Sequence, residues 1–343
     1  MKRMTVALFR KKTDTTRLLD GVDAVLADLD GVVYKGKNAI PFAVDSLNQA
    51  STTARIGYIT NNASRTDASV AAHLTQLGLS VRADDVVTSP QAAVRLLADQ
   101  IAPASAVLVI GGDGLRDEVE KAGFRMVTSA DDSPVAVIQG FSPDLGWNDL
   151  AEASFALAGG DDGIPWVATN TDWTIPVERG IAPGNGTLVS AVHSAVGRLP
   201  LVAGKPETPI FDEARRRFGA THPLFIGDRL DTDILGANRA QIDAAFVLTG
   251  VDGAKQLIAA VPEQRPRYIL SDLRGLHEPY PVTSTGRDGA VTIGGAVVRV
   301  AGAQVEIVTD GGGELNLLRA ACAAIWNSGT PIYALDVPER LYA

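Results

Sequence analysis

The segment Asp28-Leu29-Asp30-Gly31 places two carboxylates two residues apart at the end of an apolar run, Ala24–Leu29. Residues i and i+2 of an extended chain point the same way, so Asp28 and Asp30 start on one side of a strand end. The carboxyl ends of strands are where open α/β sheets bind ligands. Two carboxylates this close repel each other unless a cation or a shared proton relieves them. Alone, the pattern is more typical of a solvated turn.

A second acidic cluster, residues 227–233, follows the apolar strand predicted at Leu224–Ile226 and opens a helix predicted over Thr232–Ala240. It therefore also lies at the carboxyl end of a strand. Asp231 and Asp233 are equally suited to capping that helix, which is the structural alternative to a role in a site.

Asp228 is the first residue of this cluster that is able to reach the crevice. Asp228 beside Asp28 and Asp30 would form an oxygen-only site, the donor set that Mg²⁺ prefers. The four histidines show no spacing typical of a zinc pair. The sequence therefore predicts a magnesium site and no zinc site.

Two further segments offer groups that bind phosphate. Thr60, Asn61 and Asn62 end the second predicted strand just before a helix, where free backbone N–H groups favour an anion. Lys205, in a Gly-Lys-Pro segment after a short strand, supplies a positive charge. The segment is not a P-loop, because Pro206 replaces the required Ser or Thr. Taken singly, an Asn-rich turn explains the first segment equally well, and a lone lysine is more typical of a solvated side chain.

The elements that must position these residues are repeated strand–helix units. Short apolar runs alternate with amphipathic stretches from residue 24 to about residue 248, which predicts parallel sheets covered by helices. From Pro279 onward the pattern changes. A stretch rich in Gly, Val and Thr with alternation around Ala290–Val308, a helix at Glu314–Ser328 and a strand at Ile332–Leu335 predict a small α+β appendage.

Composition excludes several classes of protein. The chain has 343 residues, enough for two or three domains. With 31 basic and 40 acidic residues, it carries a net charge of −9 and is not expected to bind nucleic acid. The single cysteine, Cys322, is predicted to lie in a core and suits a reducing, cytoplasmic location. No apolar run approaches the ~18 residues of a membrane span, so no membrane partner is expected.

Together, four segments resemble the haloacid dehalogenase superfamily, specifically its subclass IIA, the NagD-like phosphatases. They are DLDGVVY (28–34), ITNN (59–62), GKP (204–206) and GDRLDTDI (227–234). Within that group the chain is most similar to the glycerol-3-phosphate and phosphoglycolate phosphatases. The resemblance implies an α/β fold: a Rossmann-like parallel-sheet core into which an α/β cap of the C2 type is inserted.

The implied domains are a catalytic core of residues 1–102 and 202–278 and a cap of residues 103–201. The change of pattern predicts, in addition, an extension of residues 281–343. The extension lies outside the resemblance. It faintly resembles a fragment of a GNAT acetyltransferase, but it is too short for the whole fold and lacks the acyl-CoA loop pattern R/QxxGxG/A. A structural or interaction role is therefore expected for it.

The resemblance also implies a role for each site residue. Asp28 would be the nucleophile that forms an aspartyl phosphate, and Asp30 the general acid and then base. Mg²⁺ would bind Asp28, the backbone carbonyl of Asp30, and Asp228. The phosphate would be held by Thr60, Asn61, Asn62 and Lys205, with Asp233 orienting Lys205 from behind.

Cap residues would select the substrate. The segment 170–174 resembles the specificity loop of the family, so Trp173 and Thr174 are expected to approach the substrate. The resemblance also implies a homodimer formed through the cap.

These observations predict a Mg²⁺-dependent phosphatase acting on a small phosphorylated metabolite, such as glycerol 3-phosphate. One alternative is a phosphatase of nucleotides or pyridoxal phosphate on the same fold. Another is a non-catalytic protein that binds a phosphorylated metabolite. A dinucleotide-dependent dehydrogenase is excluded because the chain lacks the glycine fingerprint.

Overall fold

The computed structural model describes residues 15–160, 163–177 and 179–342. The strands, numbered in chain order, are β1 (Thr15–Arg17), β2 (Ala24–Asp28), β3 (Tyr34–Lys35), β4 (Asn38–Ala39), β5 (Arg55–Thr60), β6 (Val86–Thr88), β7 (Ala106–Ile110), β8 (Arg125–Val127), β9 (Ala136–Gln139), β10 (Trp166–Ala168), β11 (Thr174–Val177), β12 (Gly180–Pro183), β13 (Leu201–Val202), β14 (Pro223–Gly227), β15 (Asp243–Val247), β16 (Tyr268–Leu270), β17 (Pro279–Pro281), β18 (Thr283–Thr285), β19 (Val291–Ile293), β20 (Ala296–Ala301) and β21 (Gln304–Asp310). The helices are α1 (Ala43–Ala50), α2 (Asp67–Gln76), α3 (Ser89–Ala98), α4 (Asp113–Lys121), α5 (Trp147–Ala156), α6 (Asn185–Val196), α7 (Pro209–Phe218), α8 (Leu235–Arg239), α9 (Ala254–Ile258) and α10 (Glu314–Ser328). Short 3-10 turns cover Ala83–Asp85, Ala130–Asp132, Pro262–Gln264, Leu273–Leu276, Ile332–Ala334 and Glu339–Leu341, and a π-helical turn covers Leu230–Ile234.

The predicted parallel α/β core is a six-stranded sheet with the order β16-β15-β14-β2-β5-β6. All five strand pairs are parallel. Every residue of β2 and of β14 is buried, as expected for central strands of a sheet covered on both faces. Because β2 lies between β5 and β14, the carboxyl ends of these three strands meet at one edge of the sheet.

The segment between the two halves of this sheet folds around a second parallel sheet, with the order β13-β10-β9-β7-β8. Its core includes buried Leu108, Val137, Trp166 and Val189. An antiparallel hairpin, β11–β12, leaves this sheet between β10 and α6. We call residues 103–201 the cap; this boundary stays a prediction.

A separate compact unit contains residues 275–342 together with the described residues 15–20. In it, β1 pairs antiparallel with β17, and β18–β21 form an antiparallel sheet in sequence order. Helix α10 packs on β19 and β20, and Cys322 within it is fully buried, as predicted. This unit is the α+β appendage expected from the change of pattern after Pro279.

The prediction of a strand at Ile332–Leu335 is wrong. Ile332–Ala334 forms a 3-10 turn, and only Asp336 makes a bridge, to Gln304 at the start of β21. Pro331 fixes the backbone at the entry to this turn and has no N–H to donate to a strand ladder. In the part of the chain that the structure describes, no helix combines the length and apolar character needed to cross a membrane.

Candidate active site

The first acidic pair lies where β2 ends. Asp28 is the last residue of β2, and its side chain is nearly buried, whereas Asp30 in the following turn is exposed. Gly31 adopts φ 84°, a conformation that favours glycine, and its N–H donates to the Tyr34 carbonyl at 2.9 Å. This tight turn directs the chain away from the sheet immediately after the two acids.

The second acidic cluster follows β14, the neighbour of β2 in the sheet. Asp228 comes directly after β14 and is fully buried. The helix predicted from Thr232 instead opens earlier, with the π-helical turn over Leu230–Ile234, which continues into α8. Asp233 lies in this turn, and its Oδ2 accepts the N–H groups of Asp228 and Arg229 at 3.2 and 3.1 Å. The turn thereby orients Asp233 back toward the strand end.

Lys205 links the two acidic clusters. Its side chain is only 4% exposed, and its Nζ lies 2.5 Å from Asp28 Oδ1 and 2.7 Å from Asp233 Oδ1. Asp28 and Lys205 are 177 residues apart in the chain. The buried ammonium between two carboxylates holds all three side chains in place, because moving any one of them away would leave a buried charge without its partner.

The charges at this site are unbalanced toward the negative. Burial raises the pKa of the Asp28 carboxyl well above its ordinary value; Lys205 opposes this rise, and the Asp233 carboxylate adds to it. Burial and then Asp233 raise the pKa of Asp228 to about 7. Burial lowers the pKa of Lys205, but Asp233 and Asp28 outweigh it and raise the value. The surrounding protein also excludes part of the water around the Asp30 carboxyl, which raises its pKa above the ordinary value. The carboxylates of Asp28, Asp228 and Asp233 lie close together, and Lys205 supplies one positive charge among them, so the site favours a further cation.

The donor set fits Mg²⁺. Oxygens of Asp28, Asp228 and Asp233 lie within 4.8 Å of one another. Both Asp233 oxygens already accept hydrogen bonds. By contrast, Asp228 Oδ1 is buried with no hydrogen-bond partner among the described residues. A buried acceptor without a partner is costly, and a hard divalent cation would satisfy it.

Two glycines make room for the Asp228 carboxylate. A Cβ on Gly31 or on Gly250 would overlap Asp228 Oδ2. That oxygen accepts the Val251 N–H at 2.6 Å, and Thr249 Oγ1 donates to the Gly31 carbonyl at 2.7 Å. The loop after β15 thus forms part of the cradle that holds Asp228.

On the other side of β2, the residues after β5 form the predicted phosphate loop. Thr60 is buried, and its Oγ1 accepts the Asn62 N–H at 3.1 Å. Asn62 Oδ1 accepts both the N–H and the hydroxyl of Ser64, at 2.9 and 2.8 Å. The Asn62 side chain therefore shapes the turn, as asparagine often does. The Asn61 side chain pairs with the backbone of Lys205, through Lys205 N–H to Oδ1 at 2.8 Å and Nδ2 to Lys205 O at 3.0 Å.

The cap reaches this loop through residues 170–174. Asn170 Nδ2 donates to the Asn61 carbonyl at 2.8 Å, and both oxygens of Asp172 lie 3.2–3.3 Å from Asn61 Nδ2. Trp173 is 66% exposed and Thr174, which begins β11, is exposed as well. Contact of these two side chains with a substrate stays a prediction.

Sequence reasoning missed Asp172, Thr249 and Gly250. Asp172 lies within the segment quoted for the cap loop, but nothing in its local pattern indicates a partner 111 residues away. Thr249 and Gly250 follow β15, the next strand of the core sheet. Because β15 is parallel to β14, its carboxyl end was a signal that could have found them.

Family comparisons agree with this geometry. The model of haloacid dehalogenase-like hydrolases matches residues 25–125, and a HAD-hydrolase-like model matches residues 202–276. Over 324 residues, the chain is 44% identical to D-glycerol 3-phosphate phosphatase of Mycobacterium tuberculosis, covering 93% of this chain and 88% of the relative. It is 33% identical to acid sugar phosphatase of Staphylococcus haemolyticus over 253 residues, which cover 72% of this chain and 92% of the relative.

A solved structure is similar over almost the whole chain. The crystal structure of a Mycobacterium tuberculosis glycerol phosphate phosphatase in complex with magnesium matches with a TM-score of 0.80 and 41% identity. The match covers 94% of this chain and 95% of that one. These findings confirm the predicted resemblance, and this chain belongs to the haloacid dehalogenase-like hydrolases.

Proposed function

We propose that this chain is a Mg²⁺-dependent phosphatase that hydrolyses a small phosphomonoester, glycerol 3-phosphate or a close analogue, through an aspartyl phosphate. The convergence of Asp28, Asp228 and Asp233, of which the first and the last pair with the buried Lys205 ammonium, carries the proposal. The identity to a glycerol 3-phosphate phosphatase over 93% of the chain supports the substrate.

Asp28 is the proposed nucleophile. Lys205 holds its Oδ1, and Oδ2 accepts no hydrogen bond among the described residues, so one carboxylate oxygen is free to attack phosphorus. The new bond joins Asp28 to phosphorus, and the bond from phosphorus to the alcohol oxygen breaks. Attack of a carboxylate on an anionic phosphate is opposed by charge repulsion, which the Lys205 ammonium reduces.

Asp30 is the proposed acid and base. The surrounding protein raises the pKa of the Asp30 carboxyl above its ordinary value, which favours the protonated form that gives its proton to the departing alcohol. In the second half of the reaction it accepts a proton from the water that attacks phosphorus, and Asp28 leaves as the free carboxylate. Splitting hydrolysis into two displacements gives each step a positioned nucleophile.

Mg²⁺ would be held by Asp28, Asp228 and the backbone carbonyl of Asp30. Bound there, the ion supplies positive charge against the phosphate oxygens. The proposed phosphate contacts are the Thr60 hydroxyl, the backbone of the loop at Asn61 and Asn62, and the Lys205 ammonium. Asp233 acts indirectly, by orienting Lys205.

The test is phosphate release by the purified full chain from a panel of esters, with Mg²⁺ or with excess EDTA. The panel contains glycerol 3-phosphate, 2-phosphoglycolate, a hexose phosphate, nucleoside monophosphates and pyridoxal 5′-phosphate. We expect turnover that EDTA abolishes and a kcat/KM for glycerol 3-phosphate at least ten times that for the others. Binding of these esters without turnover of any of them would refute the proposed activity. Equal rates across the panel would refute the substrate.

We also propose a homodimer formed through the cap and a cytoplasmic location. The β11–β12 hairpin exposes Val177 and Ile181, the latter by 72%, which supports an interface there. Light scattering should give the mass of a dimer for the wild type and of a monomer for Ile181→Asp. The single, buried cysteine is compatible with a reducing compartment.

A further inference from the structure

The Asn61 side chain connects three segments of the site. Its amide accepts from the Lys205 N–H at 2.8 Å and donates to the Lys205 carbonyl at 3.0 Å, the two hydrogen bonds that the backbone of a neighbouring β-strand would make. Its Nδ2 also faces the Asp172 carboxylate of the cap, at 3.2 and 3.3 Å. The Asn61 carbonyl accepts from Ser89 Oγ at 2.7 Å and from Asn170 Nδ2 at 2.8 Å. Asn61 therefore links the core, the cap loop and the residue that carries the catalytic ammonium.

Asp172 is itself held on several sides. Its N–H donates to Asn170 Oδ1 at 3.1 Å, and its carbonyl accepts the Gly186 N–H at 2.9 Å. Asn170 is fixed in turn, because Asn185 Nδ2 donates to its carbonyl at 2.7 Å. The carboxylate therefore lies on a loop that hydrogen bonds attach to the first residues of α6.

We propose that Asp172 is a positioning residue for the phosphatase reaction: it orients the Asn61 amide and, through it, Lys205. This inference rests on the proposed function. Both carboxylate oxygens point at the same amide nitrogen, which leaves that amide in one orientation, with Oδ1 toward the Lys205 N–H. Without Asp172, the Asn61 amide can rotate and lose its hydrogen bonds to the Lys205 backbone. The backbone that places the Lys205 ammonium beside Asp28 is then held less firmly.

A direct role in binding the alcohol part of the substrate is the competing explanation. A carboxylate accepts hydrogen bonds from vicinal hydroxyls, so such a role would matter for glycerol 3-phosphate and not for p-nitrophenyl phosphate, which has no hydroxyl. A positioning role acts on the phosphate end, which is common to all substrates. The two roles therefore differ in how the loss of activity depends on the leaving group.

The experiment compares Asp172→Ala, Asp172→Asn and the control Asp144→Ala, which removes an exposed carboxylate of the cap. For Asp172→Ala we expect kcat to fall on the order of 10- to 100-fold, the cost of misplacing reacting groups by up to about 1 Å. The factor should be the same for glycerol 3-phosphate and p-nitrophenyl phosphate, with KM changed less than kcat. Asp172→Asn keeps an acceptor for the Asn61 amide and should recover most of the rate. The control should match the wild type.

A double-mutant cycle with Asn61→Ala tests the route. Because Asp172 is proposed to act through Asn61, Asp172→Ala should cost less than about 2-fold in the Asn61→Ala background. If melting shows that Asp172→Ala is unfolded, Asp172→Ser, too short to reach the amide, takes its place. Additive effects, an unchanged rate in Asp172→Ala, or a loss confined to glycerol 3-phosphate would overturn the inference. A wild type inactive on both esters would instead refute the proposed function.

Discussion

Replacing Lys205 with Met removes the only buried ammonium that the described residues place at the acidic site. Asp28 and Asp233 are then left as buried carboxylates without their 2.5 and 2.7 Å partner. Removing one partner of a buried ion pair costs about 3–5 kcal/mol, because the remaining charge is desolvated and unpaired. At about 2–4 °C per kcal/mol for a unit of this size, the midpoint of thermal unfolding should fall by roughly 6–20 °C.

The chain contains a matched control for this substitution. Lys121 also lies among carboxylates, 2.7 Å from Asp117 and 2.8 Å from Glu118, but its side chain is 49% exposed. Exposed ion pairs contribute about 0–1 kcal/mol, so Lys121→Met should shift the midpoint by no more than a few degrees.

The assay is thermal unfolding followed by circular dichroism in EDTA, at pH 5.5 and pH 8. The effect of Lys205→Met should be smaller at pH 5.5, where the stranded carboxylates can take up protons. Equal shifts for Lys205→Met and Lys121→Met, or a larger effect at the lower pH, would refute the reasoning that burial makes the Lys205 pairs important.

Three further predictions concern the metal and the nucleophile. Asp28→Asn should abolish phosphate release from p-nitrophenyl phosphate, by at least about 10³-fold, while circular dichroism stays unchanged; residual turnover above a tenth of wild type would contradict its role. Burial raises the pKa of Asp228 to about 7, so the protonated carboxyl stabilises the metal-free fold at low pH. This stabilisation is lost as pH rises from about 4 through 7, whereas Mg²⁺ binds the deprotonated form. Stabilisation by Mg²⁺ should therefore be larger at pH 8 than at pH 5.5 in unfolding curves, and an effect that is the same at both would count against Asp228 as a ligand. Gly250→Ala introduces a Cβ that overlaps the Asp228 carboxylate, so it should weaken Mg²⁺ binding more than about tenfold in calorimetric titration; Gly253→Ala, whose Cβ would have its nearest contact at 3.6 Å, should leave it unchanged.

Local pattern was sufficient to predict much of the core. Buried strands of a parallel sheet are continuous apolar runs, and polar residues directly after such runs must lie at the carboxyl edge. For this reason the positions of Asp28 and Asp228 at the carboxyl ends of strands followed from the sequence, whereas the pairing of these two strands, β2 and β14, is seen only in the structure. The same reasoning failed at Ile332–Leu335, where apolar residues suggested a strand but the backbone after Pro331 forms a turn.

Other features depend on parts of the chain that meet only after folding. The distance between Lys205 and the two carboxylates is set by the positions of three segments, so no spacing in the sequence predicts it. Asn61 follows β5 of the core sheet and Asp172 lies in the loop after β10 of the second sheet, so their contact depends on how the cap and the core approach each other.

What the sequence by itself determined is the chemistry available: which residues are acids, amides and cations, and which strand ends carry them. Tertiary structure alone decided which of these groups lose their water and which partner each one meets. Burial and pairing determine how strongly a charged group interacts with its neighbours, and both are properties of the packed molecule. Asp228 Oδ1 illustrates this difference, because no pattern in the sequence indicates that this oxygen is buried without a hydrogen-bond partner among the described residues.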